Sequence, residues 1–196
     1  MEARLTPRRL LCAAALAALV SVTSACGGGG DAQAAANEPP LSNYTGSGLS
    51  FSYPAAWTAN KPILPAGVLH FHPLVYLSTQ AVHAPCTTHG NETSCDLPVR
   101  HLQPGGVLAS WASPYLGPLS RTPRGKRIEV GGRPAWRTEG AGGDCRRIGA
   151  DRTIEVEVEL PNDGFVSLTA CLRGPSLAQA EQSVDALLAS TKFLSQ

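Results

Sequence analysis

Charge is what this sequence has least of. Charged residues make up 16% of the 196-residue chain, against the quarter usual in soluble domains, and the formal net charge is +1. A balance that close to zero excludes a strongly basic nucleic-acid binder. Lysine is scarce, with Lys61, Lys126 and Lys192 facing an arginine-dominated basic set, a codon-usage signature that carries no functional weight. Apolar residues stand at a near-normal 43%, so wholesale disorder is excluded as well. The length suits one ordinary domain plus an extra segment, and is too short for two full cores. Beyond the first 25 residues no stretch is apolar enough to cross a bilayer.

Enzyme signatures are missing too. Ser47 lies in TGSGL, which is not a GxSxG nucleophile elbow, and no HExxH occurs. Gly140-Ala141-Gly142-Gly143 runs into Asp144-Cys145, where a dinucleotide loop needs a further glycine. No CxxC pair exists to start a four-thiolate zinc site. The expectation is a non-enzyme with no cofactor.

What is present first is an address. Arg4, Arg8 and Arg9 precede an apolar run from Leu10 to Val22, the layout of a signal peptide. Thr23-Ser24-Ala25-Cys26-Gly27 follows, and small residues ahead of a cysteine resemble the lipobox of bacterial lipoproteins, with Thr23 where Leu is usual. That resemblance implies cleavage after residue 25, lipid on Cys26, and a protein held on the extracytoplasmic face of the cell membrane. Removing residues 1–25 takes away three Arg and Glu2, leaving 13 basic and 14 acidic residues and a net charge of about −1. Residues 26–43, largely GGGGDAQAAANEPPLSN, show no hydrophobic period and read as a tether. Its root-mean-square reach is roughly 20–24 Å.

Cysteine usage points to the same compartment. Cys12 leaves with the signal and Cys26 carries lipid, so Cys86, Cys95, Cys145 and Cys171 remain for disulfides. Four cysteines allow three connectivities. Cys86 and Cys95 flank the polar turn TTHGNETS, and Cys145 and Cys171 flank a hairpin, so each is expected to pair with its sequence neighbour. Loop-closure entropy gives about 3 and 3.5 kcal/mol for the two.

Residues 44–196 are expected to form one α+β domain, an antiparallel sheet flanked by helices. Leu49 to Tyr53 alternates like a half-buried strand ended by Pro54, with Trp57 placed to fold back over it. Val68–Phe71 and Val75–Thr79 read as strands broken by Pro73. Leu108, Trp111 and Ala112 share a face if Val107–Ala112 is a short helix. Arg127–Val130 and Arg133–Glu139 frame Gly131-Gly132 as a hairpin. Ile154–Leu160 alternates branched residues with Glu155, Glu157 and Glu159, which are expected to face water. Asn162-Asp163-Gly164 turns the chain into Phe165–Leu172. The chain closes with an amphipathic helix striped by Leu177, Ala180, Val184, Leu187 and Leu188, opened by a Ser176/Gln179 capping box after Pro175.

Taken together, GLSFSYPAAW, GGRPAWRTEG, the alternating hairpin and AEQSVDALLASTKF resemble the PsbP-like domain, whose fold the Ran-binding Mog proteins share. Actinobacterial lipoproteins with this domain are the most similar. The resemblance implies an α/β/α sandwich and a binding, assembly or transport-accessory role. It supplies no catalytic set. Tyr53, Pro54 and Trp57 would build a corner; Ala56 stands where Gly is commoner, and a cysteine-bridged insertion follows Thr79.

Two features could carry chemistry. His70 and His72 are two apart on a predicted strand and so share a face; with His83, His89 or His101 they would start a zinc or copper site, while the plainer reading is a solvent-facing pair. Arg121, Arg124, Lys126 and Arg127, with Arg133 and Arg137 across the hairpin, form a basic patch suited to anionic headgroups or envelope polymers, or simply a solvated loop. Asn91-Glu92-Thr93 is a sequon without meaning behind a bacterial-type signal. The functional expectation is a non-catalytic, lipid-anchored domain binding a partner protein or envelope component, with no nucleic-acid partner. The alternative is a small-molecule or metal binder using a pocket beside the sheet and the His70/His72 pair.

Overall fold

Alternation dominates the chain, and the computed structural model turns it into twelve strands and two helices among the described residues, 39–64, 72–90, 92–113, 124–161 and 164–194. In order these are β1 (Leu41–Gly46), β2 (Leu49–Pro54), β3 (Thr58–Asn60), β4 (His72–Ser78), β5 (Cys86–His89), β6 (Glu92–Cys95) and β7 (Val107–Ser113). Then come β8 (Lys126–Val130), β9 (Arg133–Gly140), α1 (Gly143–Arg147), β10 (Arg152–Glu159), β11 (Phe165–Leu172), α2 (Leu177–Ser190) and β12 (Lys192–Phe193). The class is α+β, mostly antiparallel sheet. A seven-stranded sheet runs β3-β4-β7-β11-β10-β9-β8; β1-β2-β12 form a second sheet and β5-β6 a separate hairpin.

Period two sorts the side chains of the large sheet onto two faces. Ile154, Val156 and Val158 of β10, Val166, Leu168, Ala170 and Leu172 of β11, and Val107, Ala109 and Trp111 of β7 all enter one core. The α2 stripe closes it: Val184 and Leu187 are fully buried and Leu188 nearly so. The small sheet adds Leu49 and Phe51, and Trp57 turns back into the same core, its N–H donating to the Pro54 carbonyl at 2.9 Å. Polar contacts fix how α2 sits. Ser190 Oγ accepts from the Ser52 N–H at 2.9 Å, and Arg137 on β9 pairs with Asp185. At the β8–β9 turn Gly131 has φ +57°, and a Cβ there would stand 2.9 Å from the Phe193 ring, so both geometry and space demand glycine.

Several expectations need correction. Val107–Ala112 is a strand, not a helix. β7 lies between β4 and β11 and is buried on both faces, so its apolar residues run nearly continuously and mimic a helical stripe. Pro73 does not break its strand. It sits inside β4, where the register shifts between Pro73 and Val75, the bulge that a residue without an N–H requires. The segment Val68–Phe71 lies outside the described residues. The tether ends before residue 43, because Leu41, Ser42 and Asn43 already pair with Pro54, Tyr53 and Ser52. Polar edge pairing of this kind leaves no hydrophobic period to read. Ser176 makes no side-chain cap bond; its ψ of 45° lies outside the extended region that an N-cap uses, so no capping box forms with Gln179.

Candidate functional site

The second face of the large sheet is built differently. A smaller cluster of Tyr76, Val99, Leu102, Leu108, Cys145, Ile148 and Cys171 covers one end of it. The rest opens into a cleft of about 500 Å³, continued by two smaller hollows of about 220 and 180 Å³. Glu155 lines all three.

The floor follows from strand register. Thr138 pairs with Glu155, Glu155 with Thr169, Thr169 with Ser110, and Ser110 with Tyr76. These five residues therefore form one row across β9, β10, β11, β7 and β4. At the usual spacing between neighbouring strands such a row spans about 19 Å. It carries four hydroxyls and one carboxylate. The next row places Trp136, Glu157, Ser167 and Ala112 side by side. Trp136 shares the smallest hollow with Arg124, Thr138, Glu155 and Glu157. Of the β10 glutamates expected to face water, Glu155 and Glu159 are exposed, while Glu155 and the half-buried Glu157 also line the hollows.

Short elements make the walls, and covalent and ionic ties hold them. Cys145 on α1 is bonded to Cys171 on β11, which staples α1 to the sheet beside the hydroxyl row. Cys86 and Cys95 close the β5–β6 hairpin. Both disulfides join sequence neighbours, as the turn and hairpin spacing suggested. Thr153 Oγ1 donates to the Gly142 carbonyl at 3.0 Å and anchors the entry to α1. Arg147 on α1 pairs with Asp96 just after β6, so the two walls are strapped to each other. Gly143, at φ +66°, opens α1 over the floor; a Cβ there would stand 4.0 Å from Glu155 Oε1.

The electrostatics favour neutral or positive ligands. Asp96, Asp144, Glu155 and Glu157 line the connected hollows against Arg147 and Arg124, with Glu139 at the rim tied to Arg137 and Arg152. The Leu97 N–H and, after it, Arg147 hold the Asp96 carboxyl below the usual carboxylate range. Burial pushes the Tyr76 hydroxyl up to about 12, so it keeps its proton and can donate at any physiological pH. Glu155 is exposed, with Thr138 Oγ1 at 3.5 Å.

Of the site residues singled out in the sequence, Arg124, Cys95 and Cys145 line these hollows. His70, Arg121 and Cys26, with the whole signal segment 1–25, lie outside the described residues. His72 begins β4 opposite Ser113. His83 precedes the hairpin, His89 ends β5, and His101 faces Arg173, so the proposed third metal ligands go to separate places. Among the described residues no three His, Cys, Asp or Glu side chains gather to hold a metal ion. The basic patch also divides. Strand alternation puts Lys126 opposite Arg137 on the helix side and Arg127 opposite Trp136 on the cleft side. Arg137 is taken up by Asp185 and Glu139, and Arg133 lies over the Phe193 ring at 5.1 Å. Burial alone would lower the Arg137 pKa, but the Asp185 and Glu139 carboxylates hold it above its ordinary value.

Among the described residues no helix is long and apolar enough to cross a membrane. In comparisons with known proteins, no family model matches the chain and no curated protein matches it.

Proposed function

We propose that this chain is a non-catalytic binding domain, exported and held at the membrane by lipid on Cys26, whose ligand lies in the cleft over Glu155. The single observation that carries the reading is the cleft: about 500 Å³, within the range of ligand sites, floored by an aligned row of hydroxyls and walled by disulfide-fixed elements. The ligand is an envelope component rather than a flat protein surface, because the recognition groups lie on a concave floor. Extracytoplasmic placement is supported by the Leu10–Val22 run, the small residues before Cys26 and the two disulfides. Kinship with the PsbP-like sandwich is supported by the antiparallel sheet closed on one face by α2 and by Trp57 turning back beside Pro54.

A plugging variant tests this reading. Thr169→Trp fills the floor of the cleft without touching the α2 side. A small-molecule and glycan extract of the cell envelope should raise the melting temperature of the wild-type chain and leave Thr169→Trp unmoved. An equal rise in both would show that the ligand sits elsewhere. For the anchor, Cys26→Ala should abolish fatty-acid labelling and membrane association; retention of both would refute it.

A further inference from the structure

We infer that the occupant of the cleft is a short stretch of saccharide, neutral or amino-substituted, lying across the strands with one ring stacked on Trp136. The inference rests on the cleft being the binding site and adds the chemistry of what fills it.

Three features converge on that class. The floor offers hydroxyls at successive strands, Thr138, Thr169, Ser110 and Tyr76, aligned by register. A hydroxyl both donates and accepts, so such a row matches a ligand that itself presents hydroxyls at intervals along its length. Glu155 stands in the same row, and an ionised carboxylate, acceptor-only with two oxygens, can take two neighbouring hydroxyls at once. Trp136 supplies the third feature. Trp57 and Trp111 are buried in the helix-side core, whereas Trp136 is half-buried in the hollow it shares with Glu155. A half-buried indole lining a hollow suits a ring that is apolar on its faces and polar at its rim.

Charge narrows the class further. Asp144, Glu155 and Glu157, beside the Asp96–Arg147 pair and Arg124, leave the hollows acidic on balance, which disfavours phosphorylated or sulfated chains. They tolerate a neutral sugar and favour an amino sugar. A simple polycation would meet the acidic lining but would not use the aligned hydroxyls, which match a ligand carrying hydroxyls of its own.

Trp136 makes the test direct. The full-length chain is titrated with maltotriose, mannotriose and a glucosamine trimer while tryptophan emission is followed, with spermidine as a cation lacking a sugar ring. At least one trisaccharide should shift the emission saturably. Trp136→Phe should lose the shift, and Glu155→Gln, at an exposed position that does not threaten the fold, should weaken binding about tenfold. Sugar binding left unchanged by both variants would place the sugar elsewhere and overturn the inference. A response to spermidine alone would overturn the saccharide class while leaving the cleft as a binding site. So would silence from all four probes if envelope extract still stabilises the wild type and not Thr169→Trp. If extract stabilises both equally, the cleft reading itself fails.

Discussion

The two faces of the large sheet are made from the same strands and do opposite things. On one face every second residue of β10 and β11 is aliphatic and meets the α2 stripe. On the other, the intervening residues are mostly Thr, Ser and Glu, with Phe165 and Cys171 toward the ends of β11, and α1, a disulfide-closed hairpin and the Val99–Leu102 segment cover part of it. Burial of apolar area stabilises the first face without further help. The second has only the smaller Tyr76–Leu102–Ile148 cluster for that purpose, and its cover is also bonded: Cys145 to Cys171, Cys86 to Cys95, and Arg147 to Asp96. On the proposed reading, residue parity separates stability from recognition. Residues on one side can change for the ligand while the core on the other side stays intact.

The largest way to break this contrast is at the helix. Leu187 is fully buried, and Leu187→Ala should cost about 2–5 kcal/mol in urea denaturation, with ligand response retained wherever the chain remains folded. A neutral result would mean that α2 does not close the core. Replacing Cys145 and Cys171 together by Ser should cost about 3.5 kcal/mol by loop closure. Unlike the helix variant it should also weaken the ligand response, since α1 loses its staple. At Arg137, which joins β9 to α2, Arg137→Ala should cost about 1 kcal/mol from the lost ion pair and stem packing, and should not alter ligand response. On the cleft floor the order reverses: Ser110→Ala should cost under about 0.5 kcal/mol of stability yet diminish the ligand response.

These contrasts were partly legible in the sequence. The β10–β11 hairpin, the β8–β9 hairpin, α2 and the disulfide pairs each announce themselves through local pattern, because alternation, a Gly-Gly turn, a helical stripe and loop closure are short-range signals. The cleft was not legible. Its floor depends on the register of four strand pairs, and no single strand shows that Thr138, Glu155, Thr169, Ser110 and Tyr76 line up. Ser110 in addition sits in the central strand β7, whose two buried faces give it the look of a helix. The glutamates of β10 were visible as a polar face, but what shares that face comes from β7, β9 and β11, far away in the chain.

A smaller effect sharpens the wall of the cleft. Because the folded state holds the Asp96 carboxyl below its ordinary range, the Asp96–Arg147 strap adds stability above the unfolded carboxylate pKa, near 4, and loses it as pH falls through the lower folded value. The denaturation midpoints of wild type and Asp96→Asn should therefore differ slightly at neutral pH and converge in acid. Midpoints that diverge further in acid would show that the strap does not act through the ionised carboxylate.

The central claim, that the face opposite α2 is the recognition face, is tested most directly by amide hydrogen exchange of the full chain with and without envelope extract. Added protection should appear in α1 (Gly143–Arg147) and the β5–β6 hairpin (Cys86–Cys95), while α2 (Leu177–Ser190) stays unchanged. Protection gained in α2 and absent from α1 and the hairpin would contradict the account, placing recognition on the helix side.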